Sequence, residues 1–112
     1  MITRELNAKE NLLIRHLLFL ANDSRAELTL PNLVYVLEDG EMGSIKFTNN
    51  TDRMHGKNIV SVEYSDLDNI LVLITLSEDQ AGELFELDFW KTDFTKLVRY
   101  PSPEEVKLFN DN

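Results

Sequence analysis

Two segments decide the fold: Ile70-Leu71-Val72-Leu73-Ile74-Thr75-Leu76 and, after one polar turn, Glu83-Leu84-Phe85-Glu86-Leu87-Asp88-Phe89-Trp90. The first is apolar at consecutive positions, the pattern of a strand covered on both faces and therefore central. The second alternates, which predicts Phe85, Leu87 and Phe89 on a core face and Leu84, Glu86, Asp88 and Trp90 on the opposite one. The link at residues 77–82 is too short for a parallel crossover, so the two strands pair antiparallel.

Working outward, Leu33-Val34-Tyr35-Val36-Leu37, Ser44-Ile45-Lys46-Phe47-Thr48 and the run from Ile59 to Tyr64 read as further strands. A turn with two glycines, Gly40 and Gly43, separates the first pair, and residues 49–56 read as a polar loop. Asp66-Leu67-Asp68-Asn69 is a tight turn whose residues tolerate positive φ. Upstream, Asn7-Ala8-Lys9-Glu10 has the spacing of a capping box and opens a helix running from about Ala8 to Ala21. Leu13, Ile14, Leu17, Leu18, Leu20 and Ala21 share one broad face of it, while Leu12 and Phe19 point almost the opposite way, beside Arg15 and His16. Ser102-Pro103-Glu104-Glu105 carries the signals of a second, short C-terminal helix of about two turns.

The expected fold is α+β: an N-terminal helix packed on an antiparallel β-meander of about five strands, with a short C-terminal helix and one domain over residues 1–112. The expected core holds Leu13, Leu17, Ile45, Phe47, Val72, Ile74, Phe85, Leu87 and Phe89. A length of 112 residues suits a single domain. The first residues lack a secretory pattern and no apolar run is long enough to span a bilayer, so the expected location is cytoplasmic with no membrane association.

Composition excludes several chemistries. The chain has no cysteine, which removes thiol nucleophiles, disulfides and cysteine-based zinc sites. Its histidines are His16, on the helix beside Phe19, and His55, in the expected loop; neither lies near a nucleophile elbow. The four glycines never adopt a phosphate-loop or dinucleotide spacing, so no cofactor is expected. Asp66-x-Asp68 starts like a calcium loop, but Ile70 stands where a ligand is needed, so no metal site is expected. Asp88-Phe89-Trp90-Lys91 has the wrong spacing for a carboxylate–lysine nuclease core.

The formal charge of −9 is concentrated: residues 57–90 hold one lysine against eight acids. Such a region repels phosphate backbones and disfavours nucleic-acid binding. The leading expectation is a non-enzymatic protein-interaction module that uses the helix strip Leu12, Arg15, His16 and Phe19, or the sheet face at Glu86, Asp88 and Trp90. An immunity-type protein covering a basic toxin is its concrete form, since charge complementarity speeds encounter and suppresses wrong partners. The competing expectation is a small-ligand or enzymatic pocket between helix and sheet, with Tyr35, Tyr64, Glu86, Asp88 and Trp90 as its polar and aromatic lining. A solvated sheet face, with Lys91 and Lys96 neutralising its carboxylates, is the plain reading of the same residues. Trp90 is expected to be covered, first by the C-terminal segment Val106–Phe109, next by a second copy of the chain, and otherwise by a foreign partner. The chain is thus expected as a monomer or homodimer.

Leu6-Asn7-x-x-Glu10, Asp39-Gly40-x-Met42-Gly43-Ser44-Ile45-x-Phe47 and Glu83-Leu84-Phe85-Glu86-Leu87-Asp88-Phe89-Trp90-Lys91-x-Asp93-Phe94-x-x-Leu97 follow one another in this order. Together they resemble a family of small bacterial proteins classed as a domain of unknown function. The resemblance runs from the first helix to Tyr100-Pro101 and departs at Glu41, where the family more usually has a small residue. It implies a bacterial, cytoplasmic, stand-alone domain, and no activity, cofactor or site residue.

Overall fold

A computed structural model describes residues 2–109 of the chain. The two deciding segments form β5 (Leu71–Asp79) and β6 (Leu84–Lys91), paired antiparallel with Ile74 opposite Phe89 and Leu76 opposite Leu87. On the far side of β5 lies β4 (His55–Ser65), with Tyr64 opposite Val72 and Val62 opposite Ile74. The turn between β4 and β5 uses Asn69 at φ +64°, a left-handed conformation that asparagine tolerates. β3 (Ile45–Lys46) pairs with the other side of β6, β2 (Leu33–Val36) with β3, and β1 (Ile2–Glu5) with β2. β7 (Lys107–Leu108) lies against β4. All pairings are antiparallel, and the sheet order is β1-β2-β3-β6-β5-β4-β7.

Among the described residues the sheet therefore has seven strands rather than about five, and it is not a simple meander. After β3 the chain passes over β6 and β5 before entering β4. β1 escapes a hydrophobic-pattern reading because its inward position is Arg4, whose guanidinium grips Glu10 through two bonds of 2.8 and 2.7 Å. The C-terminal helix is also corrected. Glu105 does reach back to the Ser102 backbone N–H and hydroxyl, but only one 3-10 turn forms, over Pro103–Glu105. Two turns are marginal in isolation. Instead Val106 buries in the core, and the chain adds to the β4 edge, with the Phe109 N–H donating to the Ser61 carbonyl. The expected loop at residues 49–56 is shorter, since β4 already begins at His55.

The helix α1 (Ala8–Leu20) forms as its signals dictate. Asn7 Oδ1 accepts the Glu10 N–H at 2.8 Å, and Glu10 accepts the Asn7 N–H at 3.0 Å. Its inner face, Leu13, Ile14, Leu17 and Leu18, is wholly buried in one cluster with Val34, Ile45, Val62, Ile74, Leu76 and Leu87. Among the described residues, the opposite side of the sheet carries no helix. No helix among the described residues is long and apolar enough to cross a membrane.

Every residue of the expected core is buried, but Phe85 lies outside the main cluster. A bulge sets Glu78 opposite Leu84 and Ser77 opposite Glu86, leaving Phe85 without a partner. Leu84 takes the inner position, and Phe85 lies on the outer side, under the Lys46 ammonium at 4.6 Å and against the His55 ring. Gly56 sits at the matching irregularity in β4, where an added Cβ would fall 2.3 Å from the Asp79 carbonyl oxygen. Only glycine fits there.

Candidate functional site

Beyond the bulge, the alternation of β6 is strict. Leu87 and Phe89 enter the core, while Glu86, Asp88 and Trp90 lie on the uncovered outer face. Carried one residue further, the same alternation turns Lys91 inward, and its side chain is wholly buried. This corrects the expectation that Lys91 neutralises the outer face. Its ammonium donates to Asp66 Oδ2 at 3.0 Å, to Asp68 Oδ2 at 2.6 Å and to the Lys96 carbonyl at 3.0 Å, which uses all three protons. Asp66 in turn accepts the backbone N–H groups of Leu67, Val98 and Arg99.

This cluster fixes the chain after β6. Burial alone would lower the Lys91 pKa, but its bonds to Asp68 and Asp66 reverse the balance and hold the ammonium above the ordinary lysine range. Burial would likewise raise Asp66, but the Val98 N–H, the Lys91 ammonium and the Leu67 and Arg99 N–H groups hold it below the usual carboxylate range. Both groups stay charged at neutral pH, so Lys91 serves as an anchor and not as a base or nucleophile. From that anchor a tight turn returns the Phe94 N–H to the Lys91 carbonyl at 2.8 Å, and Asp93 braces it by accepting from Thr95.

The turn places Phe94 at φ +63° with its ring 6.3 Å from that of Trp90. A left-handed conformation costs a non-glycine residue roughly 1–2 kcal/mol, and it is used here to hold an aromatic ring in solvent. Phe94 is 69% exposed and Trp90 45% exposed. Leu73 lies opposite Trp90 across the sheet, and the exposed Leu71 lies two residues before it on the same face. Among the described residues, neither the tail through Phe109 nor a helix covers these rings. Beside them stand Asp88 and Glu86. Partial burial and the neighbouring Asp88 raise the Glu86 pKa; partial burial and the nearby Asp39 raise that of Asp88. A cation brought to this face therefore meets two carboxylates that lack full compensation, although Lys46 reaches towards Glu86.

The helix strip is only partly a free surface. Arg15 is committed within the fold: it donates to Asn11 Oδ1 and to the carbonyls of Ala26 and Leu28, which ties the 3-10 turn at Ser24–Glu27 to α1. Leu12 and Phe19 remain exposed, and His16 stacks on Phe19 with ring centres 6.3 Å apart. The structure thus divides the expected residues between two separate surfaces, Leu12, His16 and Phe19 on α1 and Glu86, Asp88 and Trp90 on the outer sheet.

The layer between helix and sheet holds a cluster of apolar side chains, among them Leu13, Leu17, Val62, Ile74 and Leu87. Tyr64 lies in that layer and donates its hydroxyl to the Arg99 carbonyl, whereas Glu86, Asp88 and Trp90 are across the sheet from it. Clefts of about 360 and 340 Å³ occur at the periphery, one between Leu28–Pro31 and the β5–β6 turn, the other between α1 and residues 99–105. Neither is lined by Glu86, Asp88 or Trp90. Among the described residues, no group of three His, Cys, Asp or Glu side chains is disposed to hold a metal ion.

Phe94 and the Lys91 anchor were missed in the sequence. The signal for Lys91 was present, one step along the alternation of β6, and Asp66-x-Asp68 was its partner. Nothing local marks Phe94. Comparison with curated proteins and with solved structures gives no match. Residues 3–101 match the family model described as Domain of unknown function (DUF6984), and the chain belongs to that family.

Proposed function

We propose that the chain is a non-enzymatic interaction module that binds a basic protein through the outer sheet face at Trp90 and Phe94. The observation that carries this reading is the exposed Trp90–Phe94 pair, held in place by a buried anchor and by a left-handed residue. The fold gains no core burial from that arrangement. Rigid aromatic anchors flanked by charge are the usual centre of a protein interface, and strain maintained at an exposed point marks a place of use. Glu86 and Asp88 supply the charge, and the overall −9 supports fast encounter with a cationic surface. Covering a basic toxin, as an immunity-type protein does, is the form that this size and charge fit best. The chain acts where it folds as one domain in the cytoplasm.

The test is capture from native cell lysate on immobilised protein at low salt, run beside a Trp90→Ala/Phe94→Ala variant of unchanged melting temperature. A basic protein retained stoichiometrically by the wild type, released by salt and lost by the variant supports the reading. Equal retention by both, or no stoichiometric partner across growth conditions, overturns it.

A further inference from the structure

We propose that the outer stripe of α1 pairs with the same stripe of a second copy of the chain, in a two-fold dimer that seats each Phe19 against the other copy's Leu12. This surface lies on the opposite side of the molecule from Trp90 and is independent of the reading above. Leu12 is 57% exposed and Phe19 68% exposed, seven residues apart on one helical face and about 10 Å along the axis. Stacking on His16 holds the Phe19 ring outward.

The two ends of the stripe differ in a way that selects the partner. Leu12 lines a groove of about 340 Å³ together with Lys9, Arg99, Pro101, Pro103 and Glu105, and Glu105 pairs with Arg99. Phe19 shares a shallow cleft with Glu27 and with Asp23, whose carboxylate pairs with Arg25. The stripe therefore runs from an apolar recess beside Lys9 to a projecting ring beside Glu27. An isologous interface requires such self-complementarity, because each contact is made twice about the axis. Setting Phe19 opposite Leu12 in an antiparallel helix pair places the axis between Arg15 and His16. Lys9 then falls opposite Asn22, next to Asp23 and Glu27 of the other copy. Arg15 does not crowd its counterpart, since its guanidinium is drawn aside to the carbonyls of Ala26 and Leu28 at 2.9 and 2.8 Å. A parallel pairing would set Lys9 on Lys9 and Glu27 on Glu27.

The stripe alone is narrow for an interface, and stable pairs bury roughly 800 Å² per partner. The segments at Pro101–Pro103 and Asn22–Glu27 extend it, so a dissociation constant in the micromolar range is expected. Sedimentation of the full chain between about 1 and 500 µM should show a monomer giving way to a dimer. Phe19→Asp should remain monomeric throughout that range with an unchanged melting temperature. Lys9→Glu and Glu27→Lys should each weaken the dimer about tenfold or more, and the double exchange should restore it. A wild-type monomer at the highest concentration overturns the proposal and leaves the stripe to a foreign helix. A dimer that persists in Phe19→Asp overturns it as well, and places the contact elsewhere.

Discussion

Leu17→Ala and Phe19→Ala, two residues apart on α1, should separate sharply in stability. Leu17 is wholly buried among the core side chains, and its truncation removes three carbons. At about 0.8 kcal/mol per buried methylene the transfer cost is roughly 2.4 kcal/mol. A residual cavity of roughly 50 Å³ adds about 1 kcal/mol at ~24 cal/mol per Å³, for a total of about 3–4 kcal/mol. Phe19 is mostly in solvent, so its truncation should change stability by less than about 0.5 kcal/mol. Urea unfolding at about 1 µM protein, below the expected dimerisation range, followed by far-UV circular dichroism and by Trp90 emission, reads both variants. Trp90 is on the far side of the sheet and reports unfolding without being touched by either change. With a slope of about 1–3 kcal/mol per molar urea, Leu17→Ala should lower the midpoint by about 1–4 M and Phe19→Ala should leave it in place. Comparable losses, or a loss below about 1 kcal/mol for Leu17→Ala, would refute the assignment of the two helix faces.

Three further outcomes follow from the sheet. Truncation after Pro101 should leave Trp90 emission unchanged, because the tail lies on the β4 edge, while stability falls by about 1–3 kcal/mol through lost burial of Val106. Gly56→Ala should cost about 1–3 kcal/mol in thermal or urea unfolding, since its Cβ meets the backbone of Asp79. The pH profile of unfolding should carry both signs of linkage. Asp66, lowered on folding, stabilises above its unfolded pKa near 3.9 and loses that contribution as pH falls through the folded value, so Asp66→Asn should flatten the acid limb. Asp88, raised on folding, has the opposite sign: stability declines as pH rises from about 4 through its folded value, and Asp88→Asn should be at least as stable as the wild type at pH 7.

The local signals were strongest where one segment alone satisfied a physical requirement. Asn7 and Glu10 cap the helix because both bonds close within four residues. Leu13 and Leu17 are inside and Leu12 and Phe19 outside because a 3.6-residue period puts them there. Asp68-Asn69 turns because asparagine tolerates positive φ. The candidate residues Glu86, Asp88 and Trp90 share one face because a strand alternates, and that face is legible from the side-chain order alone.

Other features belong to the tertiary structure, each for a reason that lies outside its own segment. β1 is a strand because β2 offers an edge and Glu10 neutralises its inward arginine, not because its own four residues are apolar. The tail becomes a strand where β4 is left unpaired, since an available backbone ladder outweighs a helix too short to sustain itself. Phe85 changes face because of a bulge, which adds one residue to the count and inverts whatever precedes it. Phe94 stands beside Trp90 only because Lys91 is anchored 25 residues upstream at Asp66. Periods of 3.6 and 2 are written in consecutive side chains and can be read from them. Partners brought together across a sheet are set by burial and hydrogen-bond demand of the whole chain, which no single stretch encodes.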